Sequence, residues 1–277
     1  VSIESAPRPD CLFQAARRCL DESDPARKMA LTRATALALG RGELTADPGA
    51  AAPLAIAAPG RPASPPLVAP RELAQRGLGS AAGRAAFLHA VAHIEFNAVN
   101  LAWDAVYRFR GMPAAYYADW VQVADDEARH FAMLSARLQA LGSVYGEFPA
   151  HNGLWEMAEK TAHSCLQRMA LVPRVLEARG LDVTPGMIER LRHSGDEESA
   201  GLLEIILREE VTHVATGTRW FHWCCEREGL APSREFIRLV RETARGSLRG
   251  PFNAPARSAA GFDRYEMDEL RAMVPTR

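Results

Sequence analysis

VADDEARHF at residues 123–131 and REEVTHVATGTRWF at residues 208–221 each contain a Glu followed three residues later by a His: Glu127 with His130, and Glu210 with His213. On a helix, positions i and i+3 project from nearly the same face, so each Glu and its His can converge on one point. One pair says little, since 22 Glu and 8 His in 277 residues give ~0.6 such pairs by chance. Spacing sharpens the pattern. Glu95 lies 32 residues before Glu127, and Glu177 lies 33 residues before Glu210. If residues 80–110 and 113–141 form a hairpin turning at Gly111-Met112-Pro113, Glu95 and Glu127 sit about 16 and 14 residues below the turn. At 1.5 Å per residue their heights then differ by about 3 Å. The second pair balances if a short helical piece at 185–193 continues roughly along the third helix.

Four carboxylates and two imidazoles meeting at mid-height in a helical core demand a cation. Buried ionised carboxylates each cost several kcal/mol, and their mutual repulsion would protonate some of them. Two divalent ions would bring +4 against the four glutamates, with the two histidines completing the ligand set. Oxygen-rich ligation with imidazole and no sulfur suits two iron ions best, with manganese or a mixed iron–manganese pair as alternatives. The metal ligands read from the sequence are therefore Glu95, Glu127, His130, Glu177, Glu210 and His213. Asp126 and Glu209 each precede a ligand Glu and sit about 100° round the helix from it. Asp126 could accept the far N–H of His213, and Glu209 that of His130, fixing each ring's tautomer. Asp125 reads as a surface residue.

The surrounding chain separates into four regions. Residues 1–45 read as an N-terminal helical extension, with helices near 10–21 and 25–40 stopped by Gly40 and Gly42. Residues 46–72 form a Pro/Ala-rich strap whose prolines forbid a continuous helix; its Leu54, Ile56, Leu67 and Val68 point to an apolar surface beneath it. Residues 73–230 hold four long helices near 80–110, 113–141, 151–179 and 195–228, separated by Gly/Pro turns, with the third breaking after Arg179. Residues 231–277 add a C-terminal helical cover that includes a helix near 233–246. Period-2 alternation is not sustained, so the class is all-α: an antiparallel four-helix bundle with extra N- and C-terminal helices, one compact domain overall.

Glu95, Glu127 with His130, Glu177, and Glu210 with His213 resemble the di-iron carboxylate pattern of the ferritin-like superfamily, in which two helices supply one Glu each and two supply ExxH. The stretches HAVAHIEFNAVNLAWDA, VADDEARHF, AHNGLWE, RMALVPRVLEARGLDVTPGMI, REEVTHVATGTRWF and RGPFNAPARSAAGF resemble, across about residues 58–262, a bacterial ferritin-like family catalogued only as a domain of unknown function. The resemblance implies the bundle and its dinuclear centre and brings no reaction with it. The broken third helix and the terminal additions depart from a plain storage ferritin, whose compact subunits tile a shell.

Other features have plainer readings. His89 and His93 share a face of the first core helix away from Glu95 and read as polar or interface residues, not ligands. Trp103, Trp120 and Trp220, and Cys224-Cys225, read as core packing. Small residues near the ligands, among them Ala98, Ala124 and Gly217, leave room for dioxygen or allow close helix approach. Arg234, Arg238, Arg241 and Arg245 recur at helical intervals and could grip a phosphate-bearing ligand, or form a solvated, salt-bridged face.

Composition excludes several classes. A formal charge of −1 removes a whole-protein case for nucleic-acid attraction, and no run of 18 apolar residues spans a membrane. Five cysteines without CxxC, and a start lacking the secretory pattern, lead us to expect a cytoplasmic protein. The expected activity is an oxygen-dependent oxidase or hydroxylase of a small-molecule substrate, an oxidoreductase of monooxygenase type. Its electrons would come from an external donor, because no GxGxxG opens a helix. A non-catalytic metal-binding or iron-handling protein is the alternative, as is a hydroxylase of modified tRNA.

Overall fold

The computed structural model describes residues 11–74, 76–244, 246 and 248–274, and among them helices carry nearly all regular structure. The core helices are α3 (Ala81–Arg108), α4 (Ala114–Ala140), α7 (Ala178–His193) and α8 (Glu197–Glu228). Each starts or stops for a local reason. Ser80 accepts the Gly83 N–H to begin α3, and Asp196 accepts the Ser199 N–H to begin α8. Gly111, at φ 72°, turns the chain between α3 and α4. α3 packs along α4, α7 along α8, and α4 against α8, so the two helix pairs close on a common interior.

Between α4 and α7 run α5 (Gly153–Lys160), α6 (Cys165–Leu171) and a π-helical turn over Val172–Glu177. The single helix expected over 151–179 is therefore corrected to two short helices and a π turn. Pro173 has no N–H to donate, so the regular ladder cannot pass through it, and the wider i→i+5 turn absorbs the defect. Gly217 of α8 is what lets that turn approach, since a Cβ there would lie 2.2 Å from Pro173 Cγ. Its smallness thus serves helix packing.

The break expected after Arg179 is also corrected: α7 continues through Pro185 and Gly186 to His193. Pro185 leaves the Leu181 carbonyl without its helical partner. Asn253 fills the gap, donating from Nδ2 to that carbonyl at 3.0 Å, which keeps the helix intact.

The additions wrap this interior. Helices α1 (Leu12–Asp21) and α2 (Pro25–Gly40) pack on α3 and α4 respectively. The strap then crosses back. Gly60 donates its N–H to the Leu20 carbonyl at 2.7 Å, and a Cβ there would meet Asp21 O at 2.2 Å. Further on, Leu67 bridges to Ala150. Ile56 is buried, but Leu54 is exposed, contrary to the apolar contact expected of it. Helix α9 (Pro232–Leu239), a second π turn (Val240–Ala244), α10 (Ala254–Ala259) and α11 (Arg264–Met273) form the C-terminal cover. Among the described residues no helix is long and apolar enough to cross a membrane.

Candidate metal centre

α3 contributes Glu95, α4 contributes Glu127 and His130, the π turn ends on Glu177, and α8 contributes Glu210 and His213. Ligand atoms of Glu95, Glu127, His130 and Glu210 all lie within 4.8 Å of one another. Glu127 sits at the middle. Its Oε2 is 3.4 Å from His130 Nδ1 and its Oε1 is 3.0 Å from His213 Nδ1. Glu95 Oε2 joins the His130 side at 3.1 Å, and Glu210 Oε1 the His213 side at 3.5 Å. The two imidazole centroids are 5.8 Å apart. Glu177 faces the same charges, chiefly Glu210 and then Glu127.

Only the His130–Glu95 contact is a well-made hydrogen bond. Glu127 Oε2, Glu177 Oε2 and His213 Nδ1 are buried and take no hydrogen-bond partner among the described residues. Buried polar atoms are ordinarily satisfied, and three orphans aimed into one cluster need a partner from outside the chain. Ligand atoms that share one divalent ion at ~2.1 Å stand ~3 Å apart along the edges of its coordination shell. The observed 3.0–3.5 Å separations fit that spacing. This buried group of Glu and His could hold a metal ion.

Electrostatics agrees. With no cation present, burial and then the Glu127 charge push the Glu95 carboxyl up to about 8, and burial with Glu210 raises Glu177 well above the carboxylate range. Burial opposes a charged imidazole at His130, yet the Glu127 and Glu95 carboxylates, which accept from the ring and attract its charge, outweigh it and hold the ring at about 11. His213 is raised in the same way by Asp126, Glu127 and Glu210 against its burial. The cluster without metal thus gathers protons onto atoms whose lone pairs a cation would use.

The outward ring nitrogens meet carboxylates. His130 Nε2 is 2.7 Å from Glu209 Oε2, and His213 Nε2 is 3.5 Å from Asp126 Oδ2. Sequence reasoning missed what joins these two. Arg129 donates to Asp126 Oδ1 at 3.1 Å and also to Glu209, linking both histidine partners through one guanidinium. The Asp126/Arg129 spacing of three was visible, but the reach to Glu209 depends on how closely α4 approaches α8. Asp125 is corrected from surface to buried, where Arg33 of α2 pairs with it.

The remaining residues have other partners. His89 Nε2 accepts the Gly146 N–H at 2.9 Å, and His93 bonds to Tyr145 Oη at 2.9 Å, so neither joins the centre. Trp103 donates to Thr32, Trp220 to Asp119, and the buried Trp120 N–H has no partner among the described residues. Cys224 and Cys225 are buried in the core. In the arginine stripe, Arg238 is paired with Glu235 and Glu242, and Arg241 with Glu269, while Arg234 is exposed and Arg245 lies outside the described residues. Two of its four cations are therefore already neutralised.

The class so defined is an all-α protein built round a buried Glu/His group able to hold metal. Residues 21–268 match the model of a family described as a protein of unknown function, DUF455, and the chain belongs to that family. An uncharacterized protein of Haemophilus influenzae is 44% identical over 222 residues, 78% of this chain and 77% of the relative. No solved structure matches.

Proposed function

We propose that this chain is a ferritin-like four-helix bundle holding two divalent metal ions, with iron the best fit to its donors. On this reading it is an oxygen-dependent oxidase or hydroxylase of a small molecule, driven by an external electron donor. The observation that carries the proposal is the set of orphaned ligand atoms on Glu127, Glu177 and His213, buried with no Lys or Arg among the described residues in their hydrogen-bond reach. When bound, a dinuclear iron centre supplies reductive activation of dioxygen.

The chain's own residues set the conditions. Glu209 accepts the Nε2–H of His130, which orients the ring so that Nδ1, facing Glu95 and Glu127, is the atom at which a cation would replace a proton; Asp126 does the same for His213 at longer range. Arg129 holds both carboxylates in register. Glu95, Glu127, His130 and His213 are buried and exclude bulk water. Asp126 and Glu209, whose side chains are 23% and 25% exposed, connect the two ring N–H groups to solvent and provide a route for protons.

The test is metal analysis of protein expressed with iron, followed by anaerobic reduction and exposure to oxygen. The proposal expects bound metal that Glu127→Ala or Glu210→Ala removes, and oxygen uptake by the reduced wild type. Metal below about one ion per chain that neither substitution changes contradicts the centre. Full metal with no oxygen uptake contradicts the oxidase and leaves a metal-binding protein.

A further inference from the structure

A second polar region lies on the opposite side of α3. His89, His93, Asn97, Asn100 and Asp104, spaced four, four, three and four residues apart, form one buried ridge. Its far end is satisfied inside the protein: Asp104 pairs with Arg168 at 2.6 Å, and Asn100 Oδ1 accepts from Lys28 Nζ at 2.7 Å. The middle is open. His93 and Asn97, only 7% and 6% exposed, line two adjoining cavities beneath the strap, one of about 150 Å³ and one of about 220 Å³.

The inner cavity is bounded by Arg61, His93, Asn97, Asn152, Tyr145 and Trp155, among others, and no carboxylate among the described residues lines it. Arg61 on the strap reaches only the Pro62 and Pro65 carbonyls, both through Nη1, at 3.4 and 3.3 Å. Its Nε and Nη2 take no partner among the described residues. Asn97 commits its Nδ2 to His93, at 3.0 Å from Nε2 and 2.8 Å from the carbonyl, while its Oδ1 accepts nothing among the described residues. Phe96, Tyr145 and Trp155 supply flat apolar walls. The outer cavity continues past Ala86, Ala90, Ile94, Phe148 and Leu154 and is also lined by Glu72 and Arg76.

We infer that this cleft binds a small aromatic carboxylate. The carboxylate would meet the free edge of Arg61, the one cation of the inner wall, in the forked geometry that guanidinium offers. The ring would lie among Phe96, Tyr145 and Trp155, and a donor on it would reach Asn97 Oδ1. A single Arg beside flat apolar walls suits a carboxylate on a ring better than phosphate, which calls for several donors converging on one group. Because His93 and Asn97 lie two residues on either side of Glu95, an occupied cleft would press on the helix that carries Glu95. The site does not depend on metal.

The experiment is calorimetric titration of the full chain with benzoate, benzamide and inorganic phosphate, before and after chelator treatment, on wild type and Arg61→Gln. Arg61 is exposed, so the variant should melt with the wild type, and the melt is recorded alongside. The inference expects saturable one-to-one benzoate binding that survives chelation, falls about tenfold or more in Arg61→Gln, and exceeds benzamide by a similar factor. Absence of saturable benzoate binding overturns it, as does equal binding of benzamide or an unchanged affinity in Arg61→Gln. Phosphate binding as well as benzoate would overturn the aromatic assignment. Loss of binding after chelation would transfer the benzoate to the metal centre.

Discussion

Buried negative charge is handled in two ways in this molecule. Away from the Glu/His cluster, buried carboxylates have arginines. Asp104 pairs with Arg168 and Arg108, Glu266 with Arg174, and Asp182 with Arg257, all within 2.8 Å. Arg174 is further enclosed by Phe221, Phe236 and Phe262, at 5.1, 4.1 and 4.5 Å from their ring centres. At the centre, Glu95, Glu127 and Glu210 have imidazoles as partners, Glu177 faces chiefly Glu210, and Glu127, Glu177 and His213 keep buried atoms without a partner among the described residues. Buried carboxylates elsewhere are neutralised by arginines of the chain itself, whereas the central four have none among the described residues and could take a cation from solution.

The largest expected effect breaks the first kind of region. Arg174→Met strands the Glu266 carboxylate in the core and should cost about 3–5 kcal/mol, read from the denaturant midpoint. If the loss is below about 1 kcal/mol, the arginine pairs do not carry the role assigned to them.

The matching change at the centre should go the other way. Glu177→Gln removes a carboxyl that has no partner, so chelator-stripped protein should be unchanged or slightly more stable, within about 1 kcal/mol. The same variant should bind metal more weakly, by about tenfold or more in a competition titration. A large loss of stability in stripped protein would show that Glu177 has a structural partner.

Protonation distinguishes the regions again. In stripped protein Glu95 sits at about 8 and His130 at about 11, both above their unfolded values. The folded state then holds protons that the unfolded state has released. Stability is fully present below pH 4.5 for Glu95 and below 6.5 for His130, and falls as pH rises towards 8 and 11 respectively. The slope reaches at most about 1.4 kcal/mol per pH unit for each group. Metal displaces those protons, so loaded protein should show a flatter profile between pH 5 and 9. Superimposable melting profiles for stripped and loaded protein would contradict this.

The smallest effect belongs to the surface. Arg238, paired in the open with Glu235 and Glu242, should cost no more than about 1 kcal/mol when changed to Ala.

The sequence was most legible where helix geometry alone fixes position. The Glu127/His130 and Glu210/His213 spacings needed only a 3.6-residue turn, and the 32-residue offset to Glu95 needed only one hairpin. It was least legible where one element answers another. Pro185 reads as a break until Asn253, 68 residues later, caps the carbonyl that it frees. Pro173 and Gly217 make sense only as a pair in contact. Asp125 looked exposed because α2 was not known to lie across α4, and Arg129 joined nothing until α4 and α8 were side by side. The His93–Asn97 ridge read as ordinary polar residues, because its opening lies under a strap with no helical register to predict from.

The central claim is that the four central glutamates await two divalent ions. Its most direct test is titration of chelator-stripped protein with ferrous iron under anaerobic conditions, counting ions bound per chain. The account predicts saturation at two ions in wild type and loss of high-affinity binding in Glu127→Ala, where the shared carboxylate is gone. Failure to saturate, or the same uptake in Glu127→Ala as in wild type, would contradict it.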